Sequence, residues 1–196
     1  MAEGGKVLPA DFTREGEKDS LNEPLRKYEL SRELFAVQHC LSFDSNRRNN
    51  LQYLDKKKGI ICFAVGNTVQ ILTPDTRVPS GFRREYFFGC EGMGIGCVAV
   101  HPEESYLAVG EKGRSPRVFI YDYPALNLQR ILSDGTETAY AAIDFSPDGT
   151  EIATVGAETD FMLSVWDWKN ERVVRRAKAF SQDIYTVAFS KSFPGK

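Results

Sequence analysis

The residues whose type and spacing most suggest chemistry are three glycines, Gly92, Gly94 and Gly96, in "GCEGMGIGCVAVHPEESYLAVGEKG". A glycine loop cradles phosphate when its backbone N–H groups converge and a helix N-terminus follows. Here Ile95 and Cys97-Val98-Ala99-Val100 follow, and His101-Pro102 ends the run. That is a short apolar strand closed by a proline turn, and no Gly-Lys-Ser/Thr completes the loop. The glycines therefore read as punctuation ahead of a strand, where the chain needs positive φ or close backbone approach.

The other reactive residue types are scattered. The two histidines are His39 and His101. His101 stands before Pro102, where Ser146-Pro147 stands later in the chain, so its expected role is in a turn and not as a general base. Cys40, Cys62, Cys90 and Cys97 show no CxxC spacing, and Cys62 and Cys97 sit inside apolar runs, where cysteine behaves as a small hydrophobe. Asp122 and Asp167 end matching strands and read as structural repeats instead of a carboxylate pair. No Ser/His/Asp arrangement is visible. No catalytic, cofactor-binding or metal site is expected, and no enzymatic activity.

Basic clusters offer a different chemistry. Arg47-Arg48, Lys56-Lys57-Lys58, Arg83-Arg84 and Arg175-Arg176 with Lys178 fall at turns or outer strands. Solvated turn residues are the plain reading. The functional reading is a contact surface made of Lys56, Lys57, Lys58, Arg83, Arg84, Arg175 and Arg176, attracting an acidic tail or a partner face in a salt-sensitive way. The net charge of −2 gives no global field for nucleic acid or an anionic membrane. No apolar run nears the roughly 20 residues that span a bilayer, and the amino terminus has no secretory-type apolar core. An intracellular protein with no small-molecule substrate is expected. Apolar residues make up 42% and charged residues 27%, enough for a core across 196 residues.

The elements that must position these residues come from a repeat. "GIGCVAVHPEESYLAVGEKGRSPRVFIYDYPALNLQRIL" begins at Gly94, and "AYAAIDFSPDGTEIATVGAETDFMLSVWDWKNERVVRRA" begins at Ala139. Ile143 follows Val98 by 45 residues, and Trp166-Asp167-Trp168 follows Tyr121-Asp122-Tyr123 by the same 45. Val187 follows Ile143 by 44, opening a third copy, "DIYTVAFSKSFPGK". A diverged copy, "NLQYLDKKKGIICFAVGNTVQILTPDTR", comes first. Within the best copy, strands are expected at Ile143 to Phe145, Ile152 to Val155, Met162 to Trp166 and about Arg172 to Arg175, with Pro147-Asp148-Gly149 as a turn.

Four short strands every 45 residues or so are the pattern of a WD-type β-propeller blade. The expected fold is all-β: a partial propeller of about three blades plus the first strand of a fourth over residues 46–196, preceded by a flexible leader and lead-in segment over 1–45. Within the lead-in, "LRKYELSRELFAVQHCLSF" is compatible with a short helix or a strand. Trp166, Asp167, Tyr121 and Asp122 mark the repeat. The Gly-His dipeptide that opens many WD blades is missing. So, on this reading, is the turn Asp after the second strand, in "EKGRSP" and "AETD", which predicts an incomplete side-chain network. Propellers close with roughly four to eight blades. The chain is therefore expected to be the front of a longer protein, a short product, or part of a ring that another chain completes.

Several linked motifs stand in order, "NNLQYLD", "GIGCVAVHPEESYLAVGEKG", "IYDYPAL", "ILSDGTETAYAAIDF", "SVWDWKNE" and "KAFSQDIYTVAF"; within them "DGTE" at 134–137 and "KAFSQD" at 178–183 are not demanded by blade geometry. Across roughly Asn46 to Phe189 they resemble the amino-terminal propeller of the cilia- and flagella-associated protein 44 family. That family carries two propellers followed by long coiled coils, and this chain is far shorter. The resemblance implies a non-enzymatic structural component of the ciliary or flagellar axoneme, and so of the cytoskeleton. It also implies a tether that positions inner-arm dynein on the doublet microtubule and so regulates motility. The implied partners are cilia- and flagella-associated protein 43, inner-arm dynein and the doublet microtubule, with no cofactor. A general cytosolic WD-repeat adaptor for complex assembly is the alternative.

Overall fold

A computed structural model describes residue 43, residues 50–178 and residues 181–190. Residues 1–42 of the leader and Arg47-Arg48 lie outside them. Twelve strands follow one another: β1 Leu51–Asp55, β2 Ile60–Val65, β3 Thr68–Pro74, β4 Phe82–Phe88, β5 Ile95–Val100, β6 Tyr106–Glu111, β7 Val118–Asp122, β8 Leu128–Leu132, β9 Tyr140–Phe145, β10 Glu151–Gly156, β11 Met162–Asp167 and β12 Arg172–Lys178. They form three four-stranded antiparallel sheets, each in sequence order. These are three propeller blades. The one helical element among the described residues is a single 3-10 turn, Trp168–Asn170.

Alternating residues explain why the blades stack. Every second side chain of a strand points to one face of its sheet. Blade 1 turns Leu54, Cys62, Val69 and Ile71 toward blade 2, which answers with Val98, Leu107, Val109, Phe119 and Tyr121. Blade 2 turns its other residues, Ala99, Ala108, Val118 and Ile120, toward Ile143, Phe145, Ile152 and Trp166 of blade 3. Each buried aliphatic side chain in these joints contributes about 1.5–3 kcal/mol. The first strands of successive blades lie side by side, so β5 is flanked by β1 and β9.

The turns sort to two ends of the blades. Those after the first strands meet at one end, where the Lys56 N–H donates to Glu104 of the next blade. Those after the second strands meet the interblade links at the other, where Asn67 donates to the Gly92 carbonyl. Two boundaries differ from the sequence reading. β12 runs on to Lys178, because its ladder with β11 reaches Met162. Residues 183–190, expected to open a fourth blade, carry no ladder. They run beside β9, where the Phe189 N–H donates to the Asp144 carboxylate at 2.9 Å. A first strand pairs only with the second strand of its own blade, and none follows among the described residues.

Candidate functional site

The marker residues of the repeat take matched structural places. Trp166 is buried, and its Nε1–H donates to Thr154 Oγ1 at 2.9 Å. Tyr121, one blade earlier, is buried with its hydroxyl donating to the Gly89 carbonyl at 3.3 Å. Asp167 accepts from the Asn170 N–H at 3.3 Å and from its Nδ2 at 2.8 Å, closing the 3-10 turn. The Asn170 side-chain hydrogen bond lowers its pKa. Asp122 does the same work in blade 2, accepting from the Asn127 N–H at 2.6 Å and from Gln129 Nε2 at 3.1 Å. Both carboxylates brace turns between third and fourth strands.

The glycine loop does bind an anion, and the anion is the protein's own. Glu111, at the end of β6, has its side chain only 4% exposed. Its Oε1 accepts from the N–H groups of Glu91 and Gly92 at 2.9 and 2.8 Å. Its Oε2 accepts from the Arg117 N–H at 3.0 Å and lies 3.5 Å from Arg117 Nε. Arg117 in turn reaches Glu91 at 2.7 Å. A Cβ at Gly92 would stand 2.7 Å from the Lys112 carbonyl, so only glycine fits there. In blade 3 Asp160 holds the corresponding link, accepting from Thr136 Oγ1 at 3.0 Å and the Glu137 N–H at 2.9 Å. The expected gap in the side-chain network is thus filled. "AETD" does supply its aspartate, and in blade 2 a glutamate one position before the turn substitutes, its extra methylene making up the reach.

His101 belongs to a joint as well as to a turn. Its Nε2 lies 3.2 Å from the Gly149 carbonyl of the next blade, and its Nδ1 accepts from the Glu103 N–H at 3.2 Å. That fixes the neutral tautomer with the proton on Nε2. Tyr106, Phe145 and Trp168 surround it edge-on. Burial holds its pKa below the usual histidine range. The thiols are no more reactive: burial pushes Cys62 up to about 12 and Cys90 up to about 11. Among the described residues, no group of three or more His, Cys, Asp or Glu is placed to hold a metal.

The seven basic residues do not form one surface. Lys56, Lys57 and Lys58 make the β1–β2 turn, where Lys58 Nζ is 3.1 Å from Asp55 and Lys56 Nζ 3.9 Å from Glu104. Arg83 and Arg84 lie on β4, Arg83 at 3.3 Å from Glu85. Arg175 and Arg176 lie on β12, two blades away. Arg176, though exposed, is held by its own blade, donating to Ser164 Oγ at 3.2 Å and to the Asp134 carbonyl. What the sequence reading missed is Arg172, which joins Arg175, Arg176 and Lys178 on an outer strand that is exposed at six of its seven positions. The composition of "RVVRRAK" was the available signal.

The most informative comparison is with relatives. No protein-family model matches the chain. Cilia- and flagella-associated protein 44 of Chlamydomonas reinhardtii is 44% identical over 183 residues, covering 88% of this chain and 10% of the relative. The chain is a cilia- and flagella-associated protein 44-like segment. The mouse protein of that name is 39% identical over 155 residues, 79% of this chain and 8% of the relative. Human echinoderm microtubule-associated protein-like 1 is 30% identical over 106 residues, 48% of this chain and 13% of the relative. The segment thus spans about a tenth of the length of the protein 44 relatives it matches. It is of the class of cilia- and flagella-associated WD-repeat proteins.

Proposed function

We propose that this protein is a structural, non-enzymatic part of the ciliary or flagellar axoneme. In it the blades belong to the tether that holds inner-arm dynein on the doublet microtubule, together with cilia- and flagella-associated protein 43. The observation that carries this reading is 44% identity to the algal protein over nearly the whole chain. The blade architecture suits it: side chains that could do chemistry are spent on bracing turns and joints. Wild-type and deletion axonemes, imaged by cryo-electron tomography, test the tether role. Inner-arm dynein heads that lose their fixed position on the doublet support it. Heads that stay in place while the protein is absent remove it.

The microtubule contact of this reading falls to β12, with Arg172, Arg175 and Lys178 facing the acidic tails of tubulin. The similarity to a microtubule-associated protein-like relative supports that choice. Co-sedimentation with intact and tail-cleaved microtubules, at low and moderate salt, tests it. Binding that needs both the tails and low salt, and that falls in an Arg172→Glu/Arg175→Glu variant, is the expected result. Equal binding to cleaved microtubules would rule β12 out.

A further inference from the structure

Two serines in the chain have an arginine three residues before them, Ser80 in "RVPS" and Ser133 in "RILS". A third, Ser115 in "GRSPR", lies between arginines and precedes a proline. Kinases choose a serine by the charge pattern around it, and several residues on either side must enter the cleft with it. The fold treats the three serines differently. Around Ser80, residues 77–83 are exposed except Val78, which is half-buried. Around Ser133, Leu132, Gly135 and Thr136 are buried, and the Arg130 Nε–H donates to the Lys169 carbonyl of the next blade at 3.0 Å. Around Ser115, Pro116 and Val118 are buried.

The Ser80 loop can also open without disturbing a joint. Residues 75–81 join β3 to β4, and their hydrogen bonds close within the loop. The Asp75 N–H donates to the Gly81 carbonyl at 2.9 Å, the Gly81 N–H to the Val78 carbonyl at 2.8 Å and the Val78 N–H to the Asp75 carbonyl at 3.2 Å. The Ser80 hydroxyl donates to the Phe82 carbonyl at 3.0 Å. Arg77 grips the Asp75 carboxylate through Nε at 3.0 Å and Nη2 at 3.2 Å, with its side chain 87% exposed. An ion pair that exposed is weak, so the guanidinium transfers readily to an acidic groove. Presenting Ser133 is a different matter. Leu132 pairs with Val118 and is packed in the blade 2–3 joint, which would have to part. The Ser115 loop is tied to the next interblade link, its N–H donating to the Glu137 carbonyl at 3.1 Å and that of Gly113 to the Thr138 carbonyl at 2.8 Å.

We propose that Ser80 is a phosphorylation site for a kinase with an acidic substrate groove, which reads Arg77. In the transfer, Ser80 Oγ bonds to the γ-phosphorus of ATP and the bond from that phosphorus to the β–γ bridging oxygen breaks. ADP leaves, and the hydroxyl proton passes to the base of the kinase. The product carries a charge of about −1.5 to −2 at pH 7. Cations for it are already at the loop: Arg77 first, and Arg83 more weakly, hold the Asp75 carboxyl below the usual carboxylate range. The Lys56-Lys57-Lys58 turn lies beside the same end of β3, where a Cβ at Gly59 would meet the Pro74 ring at 3.6 Å. Phosphate on Ser80 therefore sets negative charge next to those lysines and weakens their attraction for an acidic partner.

Treatment of the folded whole chain with ATP and a calmodulin-dependent kinase, a class that takes an arginine three residues before serine, tests this. Peptide mass spectrometry locates the phosphate and gives the rate at each serine. The expected result is phosphate on Ser80, with Ser133 and Ser115 left unmodified. Ser80→Ala should remove the incorporation. Arg77→Gln should slow it about tenfold or more, the effect of one lost charge-assisted contact, while circular dichroism stays that of the wild type. Both substitutions are at exposed positions, so the fold is retained. Three results overturn the proposal. One is a folded chain that takes no phosphate at Ser80. Another is a folded chain phosphorylated at Ser133 as fast as at Ser80, which means that the fold does not select between them. The third is an Arg77→Gln variant modified at the wild-type rate, which means that the arginine is not read.

Discussion

Glu111 carries its charge under the glycine loop with four donors around it, two from the loop and two from Arg117. A hydrogen bond to a charged acceptor is worth about 1.5–3 kcal/mol, and a buried donor left unpaired costs on a similar scale. Glu111→Ala removes the acceptor and leaves the loop N–H groups and Arg117 without it. A loss of about 2–3 kcal/mol in urea unfolding is expected. Glu111→Asp retains charge but falls a methylene short, so its loss should be smaller. Equal losses for the two variants would show that reach does not matter here. His101 gives a pH counterpart. Its pKa is lowered in the fold by burial, the largest influence, with Glu103, Lys169 and Asp148 as the charged neighbours. The unfolded chain therefore binds the proton first, near the ordinary value of about 6.5. The contribution of neutral His101 is complete above that pH and is lost as pH falls toward the lowered folded value. Urea midpoints measured from pH 7.5 down to 5 should fall in the wild type. A His101→Gln variant should show a shallower fall, and an identical slope would show that His101 is not the group responsible.

Strands were the most legible feature of the sequence, because a period of 45 residues and alternating apolar positions both survive in it. The match of Tyr121-Asp122 to Trp166-Asp167 placed β7 and β11 and gave their last residues the same job. The bracing of the links was not legible, since Glu111 acts on N–H groups about twenty residues earlier and stands outside the expected turn position. The basic surface was misread for a related reason: charges close in sequence were grouped, while blade 2 separates β4 from β12 in space. Gly96 shows an element-scale constraint that no local pattern could reveal. A Cβ there would stand 2.1 Å from the Tyr140 carbonyl, where β5 passes β9. Gly96→Ala should force the two first strands apart and cost about 2–3 kcal/mol in urea unfolding. A loss under half of that would mean that the blade 2–3 joint shifts easily.

Stacked blades contact only their neighbours, so stability is distributed along the stack instead of around one center. Blade 2 is covered on both faces, by the blade 1 joint and the blade 3 joint. Among the described residues, blade 1 has one interblade joint, and blade 3 has one joint with the segment 183–190 beyond it. Opening an end blade breaks one joint, while opening blade 2 breaks both. Local opening free energies should therefore rank with blade 2 highest. Hydrogen exchange read by mass spectrometry checks the ranking. Peptides covering β6 and β7 should exchange slowest. Those covering β2 and β3 should be faster, although both blades hold fully buried residues such as Val69 and Val109. If all three blades exchange together at one rate, the stack opens only as a whole, and the joints are more strongly coupled than nearest-neighbour packing provides.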